Sequence, residues 1–333
     1  MSPLVTVIAV CFNHGRFVTE CLESIRRQSL TDWQLIVVDD CSTDNSVAAI
    51  RAWIDSTGTP CEFIAHERNI GLCRTLNEAV TRASGRYICI VATDDLWTHD
   101  KLARQVEAFE GASPRTGVVF SDSYTMSEDG SLLPRKLCDY YRGKWEQIPE
   151  GDVFEFLLED CFVPAPTAMM RRSVFDAIGR YDESLDYEDW DMWLRIARSF
   201  EFVFIDEPLA YYRIVSTSMQ SMILNRRTVA KHRTQFLIFA KHVGSRRLSA
   251  EQRRKIRARL AGDAEALFEL DHDVARSFLG QAAMLSRDWR SLVFLIYSRL
   301  NLGYASAKRT TRRLEKLIDY IQWRIGRMHR RGT

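Results

Sequence analysis

A rhythm in the first hundred residues limits most strongly what this chain can fold into. Three apolar runs of strand length, residues 4–11, 33–38 and 87–92, alternate with stretches of helical spacing. After the first run, Phe17, Cys21, Leu22 and Ile25 share one face of a helix predicted over about residues 16–28. The second run ends in Asp39 and Asp40, and Cys41-Ser42-Thr43-Asp44 then supplies a turn and a cap for a helix reaching about Trp53. A short strand at 62–65, a helix at 72–83 and a break at Ser84-Gly85 lead into the third run, YICIVATDDLW. Such βαβα order predicts an α/β fold with a mainly parallel sheet and helices on both faces.

The third run stops at Asp94 and Asp95, before a helix predicted to start near Thr98. Acids there sit at the carboxyl edge of the sheet, where open α/β folds bind ligands, and adjacent carboxylates can hold a divalent metal against phosphate oxygens. Asp40 and the pair Glu188/Asp189 also fall at a strand end or helix start. Each has a plainer reading. Asp40 would cap the helix that follows it, Asp94 and Asp95 the helix near Thr98, and Glu188 and Asp189 would be first-turn acids favoured by the helix dipole. Phe12 has a plainer reading too, as a core aromatic. No G-x-G-x-x-G follows the first strand and no G-x-x-x-x-G-K-[ST] occurs, which argues against a dinucleotide or Walker-type phosphate cradle. A metal-bridged diphosphate is the alternative, since Mg²⁺ and Mn²⁺ prefer oxygen ligands.

Further along, a helix at about 101–110 and an inner strand at 118–121 precede an irregular stretch, 122–160, rich in turns and aromatics and suited to a substrate cleft. A strand at 162–170, interrupted by Pro164 and Pro166, leads to a short helix from Ser173. Trp190, Trp193, Leu194 and Ala197 then share a helical face that suits core packing. From about residue 222 the chain reads helical to its end.

The net charge of +2 conceals an asymmetry that sets a domain boundary near 220: residues 221–333 carry 25 Lys+Arg against 9 Asp+Glu, and residues 1–220 carry 21 against 35. The expected domains are therefore 1–220 and a basic, all-helical 221–333. An amphipathic basic helix at 314–328 would lie on an anionic membrane surface or pack on its own domain. The tail's aromatics sit at core spacing and are not interleaved with its charges, so nucleic acid is not the expected partner. No apolar run spans a bilayer and no basic leader precedes residues 4–11, so the expected place is the cytoplasm, with a peripheral position on the inner face of the cell membrane. Eight cysteines without a C-x-x-C pair read as reduced, small core residues.

Taken together, VTVIAVCFNHGRFVTECLESIRRQS, LIVVDDCSTDNS, ERNIGLCRTLNEAVTRASGRYICIVATDDLW and YEDWDMWLRIA resemble the family 2 glycosyltransferases of the GT-A fold, in order and over about residues 4–215. The resemblance implies an inverting enzyme that uses a nucleotide-diphospho-sugar and a divalent metal, Mn²⁺ or Mg²⁺. It implies that Phe12 stacks on the nucleotide base, with Asn13 in the same motif, and that Asp40 accepts a hydrogen bond from a uracil-like imide. Asp94 and Asp95 would fill the metal and ribose positions. Asp189 would be the base that deprotonates the acceptor, with Glu188 and Trp190 on the acceptor side. The implied acceptor is a glycan or polyprenyl-linked glycan of the cell envelope.

Two departures stand out. The family's D-x-D-D motif here begins with Ala92, giving Ala92-Thr93-Asp94-Asp95, and the histidine that often follows Y-R-I is Val215. Arg213, Ser216 and Ser218 remain as candidates to reach the diphosphate. Two competing readings follow: a noncatalytic sugar-nucleotide-binding relic, motivated by Ala92 and Val215, and a nucleotidyltransferase, disfavoured by the missing glycine-rich basic loop.

Overall fold

The computed structural model describes residues 2–216, 227–286 and 288–329. The chain divides into two compact units, Met1–Met222 and Ile223–Thr333. The boundary expected near residue 220, and Ser218 with it, lie outside the described residues.

One sheet organises the first unit. Its strands are β1 (Val5–Cys11), β2 (Trp33–Asp39), β3 (Glu62–Ala65), β4 (Tyr87–Ala92), β5 (Leu96–Trp97), β6 (Thr116–Met126), β7 (Leu132–Lys136), β8 (Met169–Arg171) and β9 (Glu201–Arg213). They lie in the order β3-β2-β1-β4-β8-β6-β9-β5, with β7 beside β6. The first four are parallel, in the βα rhythm of the sequence. Beyond β4 the sheet is mixed: β8 runs antiparallel to both β4 and β6, β6 and β9 are parallel, and β5 pairs antiparallel with β9. The mainly parallel sheet expected from sequence therefore holds for one half of it. An antiparallel neighbour needs no crossover helix, so β8 leaves no βα signature.

Around the sheet lie α1 (Val18–Arg26), α2 (Ser46–Thr57), α3 (Leu72–Arg82), α4 (Lys101–Gly111), α5 (Asp139–Lys144), α6 (Phe154–Glu159), α7 (Arg172–Ile178) and α8 (Asp189–Ile196). Val18, Cys21, Leu22 and Ile25 of α1 are buried in one apolar cluster with β1, β2 and β4, as their helical spacing predicts. Three expectations need correction. Helix α4 begins at Lys101 with Asp100 as its N-cap, because Leu96 and Trp97 are drawn into the sheet as β5; Asp94 and Asp95 therefore cap no helix near Thr98. The segment 162–170 is not one strand, since Ala165–Thr167 forms a 3₁₀ turn around Pro166 and only Met169–Arg171 pairs. Strand β9 goes unnoticed in the sequence because Asp206-Glu207-Pro208 reads as a break; the sheet absorbs it as a register shift, Ser121 pairing with Ile205 and Asp122 with Pro208.

The second unit is helical: α9 (Val229–Ala240), α10 (Ala250–Leu270), α11 (His272–Ser286), α12 (Trp289–Arg299) and α13 (Tyr304–His329). A capping box between Ser249 and Gln252 starts α10. Phe236 meets Phe278 edge-on at 5.1 Å, and Phe268 meets Phe294 and Tyr304, each at 6.0 Å, which gives this unit its own aromatic core. No helix among the described residues is long and apolar enough to cross a membrane. All eight cysteines are free, five of them buried.

Candidate active site

The ends of β1, β2 and β4 lie side by side, because Cys11 registers with Asp39 and Val10 with Ala92. The turns after β1 and β2 are stapled together. Asn13, at φ 59°, donates its N–H to Ser42 Oγ at 2.8 Å and accepts Thr43 N–H on Oδ1 at 2.8 Å. Asparagine tolerates this left-handed backbone better than most residues. The conformation leaves Phe12 44% exposed at the strand end, so the core reading of this aromatic does not hold.

Asp40 is buried and bonds the start of a helix other than the one that follows it. Its Oδ1 accepts Ile70 N–H and bonds His66 Nδ1, both at 2.9 Å, and its Oδ2 accepts Gly71 N–H at 2.9 Å. Gly71 is the N-cap of α3, at φ 88°, so Asp40 pins the start of that helix from 31 residues away. His66 passes the contact on to Glu78 Oε2 at 3.0 Å.

At the end of β4, Asp94 and Asp95 are 8% and 3% exposed, and β9 holds them from behind. Arg213 donates its backbone N–H to Asp95 Oδ1 at 2.8 Å and its Nε–H to the Asp94 carbonyl at 2.8 Å. Its guanidinium also reaches Glu20 Oε2 at 2.7 Å and the Glu128 carbonyl at 3.2 Å, and lies 4.7 Å from the centre of the Phe17 ring. At 2% exposure Arg213 faces inward. The expectation that it meets a diphosphate is corrected accordingly: its donors brace the acidic turn. Burial first, and then the neighbouring Asp94 charge, push the Asp95 carboxyl well above its ordinary range. His14 lies beside the pair, with Nε2 3.7 Å from Asp94 Oδ2 and Nδ1 3.0 Å from Thr93 Oγ1.

The second pair opens α8, with Glu188 as N-cap and Asp189 as first residue. Asp189 Oδ1 accepts Trp190 N–H at 2.6 Å, and Cys161 Sγ stands 3.8 Å from Oδ2. Among the described residues neither acid forms an ion pair. Burial raises the Asp189 carboxyl, while burial and then the Asp189 charge push Glu188 up to about 8. Burial thus favours the protonated form of both acids, and the Asp189 charge adds to that on Glu188. Trp190, expected on the acceptor side, is instead buried, its indole N–H donating to the Leu157 carbonyl at 2.7 Å.

Strand β4 links the two pairs. Ile90, on that strand, lines a cavity of about 20 Å³ with Glu188, Asp189, Tyr181, Met192 and Trp193. The phenol of Tyr212, the neighbour of Arg213 on β9, is pushed up by burial and then by the charges of Asp95, Asp94 and Asp189. Sequence reading missed Tyr212 and His14. His14 was in view, inside the stretch FNHG, but a lone histidine carries little signal. Val215 is buried, and Ser216 follows it just past the end of β9.

A parallel sheet edge that carries a stapled aromatic turn and a braced acidic pair, continued by a mixed half with a second acid pair, belongs to the GT-A class of folds. Residues 6–179 match the sequence model described as "Glycosyl transferase family 2", and the chain belongs to that family. Among similar proteins, the putative teichuronic acid biosynthesis glycosyltransferase TuaG of Bacillus subtilis is 28% identical over 221 residues, covering 66% of this chain and 82% of its own length. The amylovoran biosynthesis glycosyltransferase AmsB of Erwinia amylovora is 28% identical over 222 residues, covering 63% of this chain and 70% of its own. Two solved structures share the fold. The mannosyltransferase PcManGT from Pyrobaculum calidifontis, in complex with GDP-Man and Mn²⁺, has a TM-score of 0.58 at 19% identity, covering 90% of this chain and 87% of its own. S. aureus TarS 1–349, in complex with UDP, has a TM-score of 0.59 at 16% identity, covering 93% and 91%.

The donor set suits a divalent metal in part. Among the described residues no group of three or more His, Cys, Asp and Glu side chains is placed to hold one. Asp94 and Asp95 alone supply two carboxylates, a donor type that suits Mn²⁺ or Mg²⁺ when substrate phosphate and water complete the shell.

Proposed function

We propose that this chain transfers a glycosyl group, with inversion, from a nucleotide-diphospho-sugar to a hydroxyl of a glycan or lipid-linked acceptor in cell-envelope polysaccharide synthesis. A UDP-sugar is the first choice of donor. The observation that carries the reading is a braced acidic turn, Asp94-Asp95, just past the end of β4, together with a partly buried Asp189 that forms no ion pair among the described residues at the start of α8. The names of the two relatives, for teichuronic acid biosynthesis and amylovoran biosynthesis, support a glycan acceptor.

In the proposed mechanism the exposed Phe12 ring stacks on the base, and Asn13 keeps the turn in shape. Asp40 Oδ2, which accepts one N–H, retains a lone pair for a uracil imide. Asp94 and Asp95 would hold a divalent cation, which when bound offsets charge on the diphosphate. Arg213 keeps both acids in register from behind. Asp189 takes the proton of the acceptor hydroxyl as that oxygen bonds to the anomeric carbon; the bond from this carbon to the diphosphate oxygen breaks, and one displacement inverts the centre. Glu188, still protonated near neutral pH, leaves Asp189 as the acid of the pair that can accept the proton. The basic second unit fits an acceptor anchored at an anionic membrane.

The test is a screen of UDP- and GDP-sugars with Mn²⁺ or Mg²⁺, followed by nucleotide release and thermal shift. Slow release of UDP that stops with chelator is the expected result. Tight binding without release would favour the relic reading, and pyrophosphate release from a nucleoside triphosphate and a sugar phosphate would favour a nucleotidyltransferase.

A further inference from the structure

Helix α12 is built inside out for a helix in water. Its inward face carries Ser291, Phe294 and Ser298, at 2%, 3% and 0% exposure. Its outward face carries Trp289, Leu292, Ile296 and Leu300 (the C-cap), at 37%, 50%, 47% and 63%. At 3.6 residues per turn those four lie within an arc of about 80°, a continuous apolar stripe. Arg290 and Arg299 stand at the two margins of the stripe and are both exposed. Arg290 pairs with Asp288 at 3.2 Å and with Glu315 of α13 at 3.3 Å. Through that pair α13 runs alongside, where Leu317, Ile318 and Tyr320 are 52%, 38% and 51% exposed among the exposed Arg312, Arg313 and Lys316.

We infer that the α12 stripe is a docking surface for an anionic lipid bilayer, with the helix lying in the plane of the headgroups. This deepens the reading of a membrane-anchored acceptor and rests on the part of it that places the chain at an anionic surface. Charge decides the occupant. An apolar stripe flanked by arginines, on a unit with 25 Lys+Arg against 9 Asp+Glu, is the pattern by which interfacial helices bury apolar side chains below the headgroups while their cations meet phosphate. A second copy docked stripe to stripe would bring Arg290 and Arg299 against their own kind, in two units of the same strong positive charge. The stripe on α12, more than the amphipathic helix at 314–328 singled out by sequence periodicity, is where the apolar surface is fully described and open.

The experiment is flotation of the full chain with vesicles of phosphatidylcholine alone and of an equal mixture with phosphatidylglycerol. Wild type should float with the mixed vesicles and not with the neutral ones. Leu292→Glu/Ile296→Glu should weaken that binding about tenfold or more. Both positions are exposed, so the melting temperature should hold; Leu292→Ser/Ile296→Ser serves if the charged variant is unstable. Binding that falls with Arg312→Glu/Arg313→Glu but not with the α12 variants overturns the α12 inference and leaves the membrane reading standing. No binding of wild type to either vesicle overturns both. A wild-type dimer that the α12 variants convert to monomer, with vesicle binding unchanged, makes the stripe an interface between copies and overturns the inference. UDP release measured without vesicles reports on the transferase reading separately.

Discussion

The two acidic pairs of the first unit have different surroundings. Asp94 and Asp95 are held by a cationic residue: Arg213 bonds the carboxylate of one and the carbonyl of the other, and His14 stands 3.7 Å from Asp94. Glu188 and Asp189 have no such brace and sit against Tyr181, Met192 and Trp193. Burial raises carboxyls in both surroundings, Asp95 in the first and Glu188 and Asp189 in the second; what differs is the arginine that holds the first pair from behind. In the mechanism proposed above the braced pair would face the donor and the unbraced Asp189 would take the proton, with aspartates in both roles.

The harshest way to break this comparison is to remove the first pair. Asp94→Asn/Asp95→Asn should abolish metal-dependent nucleotide release while the protein stays folded; residual metal-dependent turnover would show that the metal is held elsewhere. Next in size is Asp189→Asn, for which kcat should fall about 10²–10⁴-fold with UDP affinity little changed. Near-normal turnover in a folded Asp189→Asn protein would remove Asp189 from the mechanism. Arg213→Ala sharpens the contrast from the other side. It should cost roughly 2–3 kcal/mol of stability, because buried acceptors lose their donors, and should weaken metal activation more than UDP binding. A variant with unchanged metal activation would reduce Arg213 to packing.

Proton linkage separates the pairs more gently. Glu188 has a folded value of about 8 against an ordinary 4.5, so the fold prefers its protonated form. Its contribution to stability is full below about pH 4.5 and is lost as pH rises through about 8. Glu188→Gln should therefore melt higher than wild type at pH 8–9, by on the order of 1–2 kcal/mol, and match it near pH 4. For catalysis the sign runs the other way. Asp189 must be ionised, and burial raises its carboxyl, so the rate should climb with pH across a limb above the usual aspartate range. A limb at the ordinary value would mean that Asp189 is solvated in the working enzyme. Phe12→Ala should do least, weakening UDP binding by about 1 kcal/mol with kcat held.

Sequence made one side of this comparison much easier to read than the other. The β1, β2 and β4 runs announce themselves because buried parallel strands are apolar throughout, and the acids stand out where each run stops. What sits behind the acids was invisible. Arg213 lies 118 residues from Asp95 on a strand disguised by Asp-Glu-Pro, so its backbone bond could not be anticipated, and its charge suggested a phosphate ligand when its burial makes it a brace. Trp190 carried two readings, core face and acceptor side, and its indole bond to Leu157 favours the first. Asp40 shows the limit of local capping rules. A carboxylate beside one helix start can serve another, because β2 brings it against the loop at 66–71. In the second unit the periodicity of 314–328 drew attention to α13, while the exposed stripe of α12 became visible only with burial known.

The span of the Arg213 contacts has a consequence for how the protein is made. Asp94 and Asp95 emerge early in synthesis, yet the bonds that set their geometry come from a residue 118 and 119 positions later, and the same guanidinium reaches back 193 positions to Glu20. Contacts so distant along the chain close late and slowly. A nascent chain halted before β9 would carry every acid of the site without its arrangement, and so would bind cations indiscriminately or not at all. Competence would therefore arrive in one step, when the last strand of the sheet is laid down.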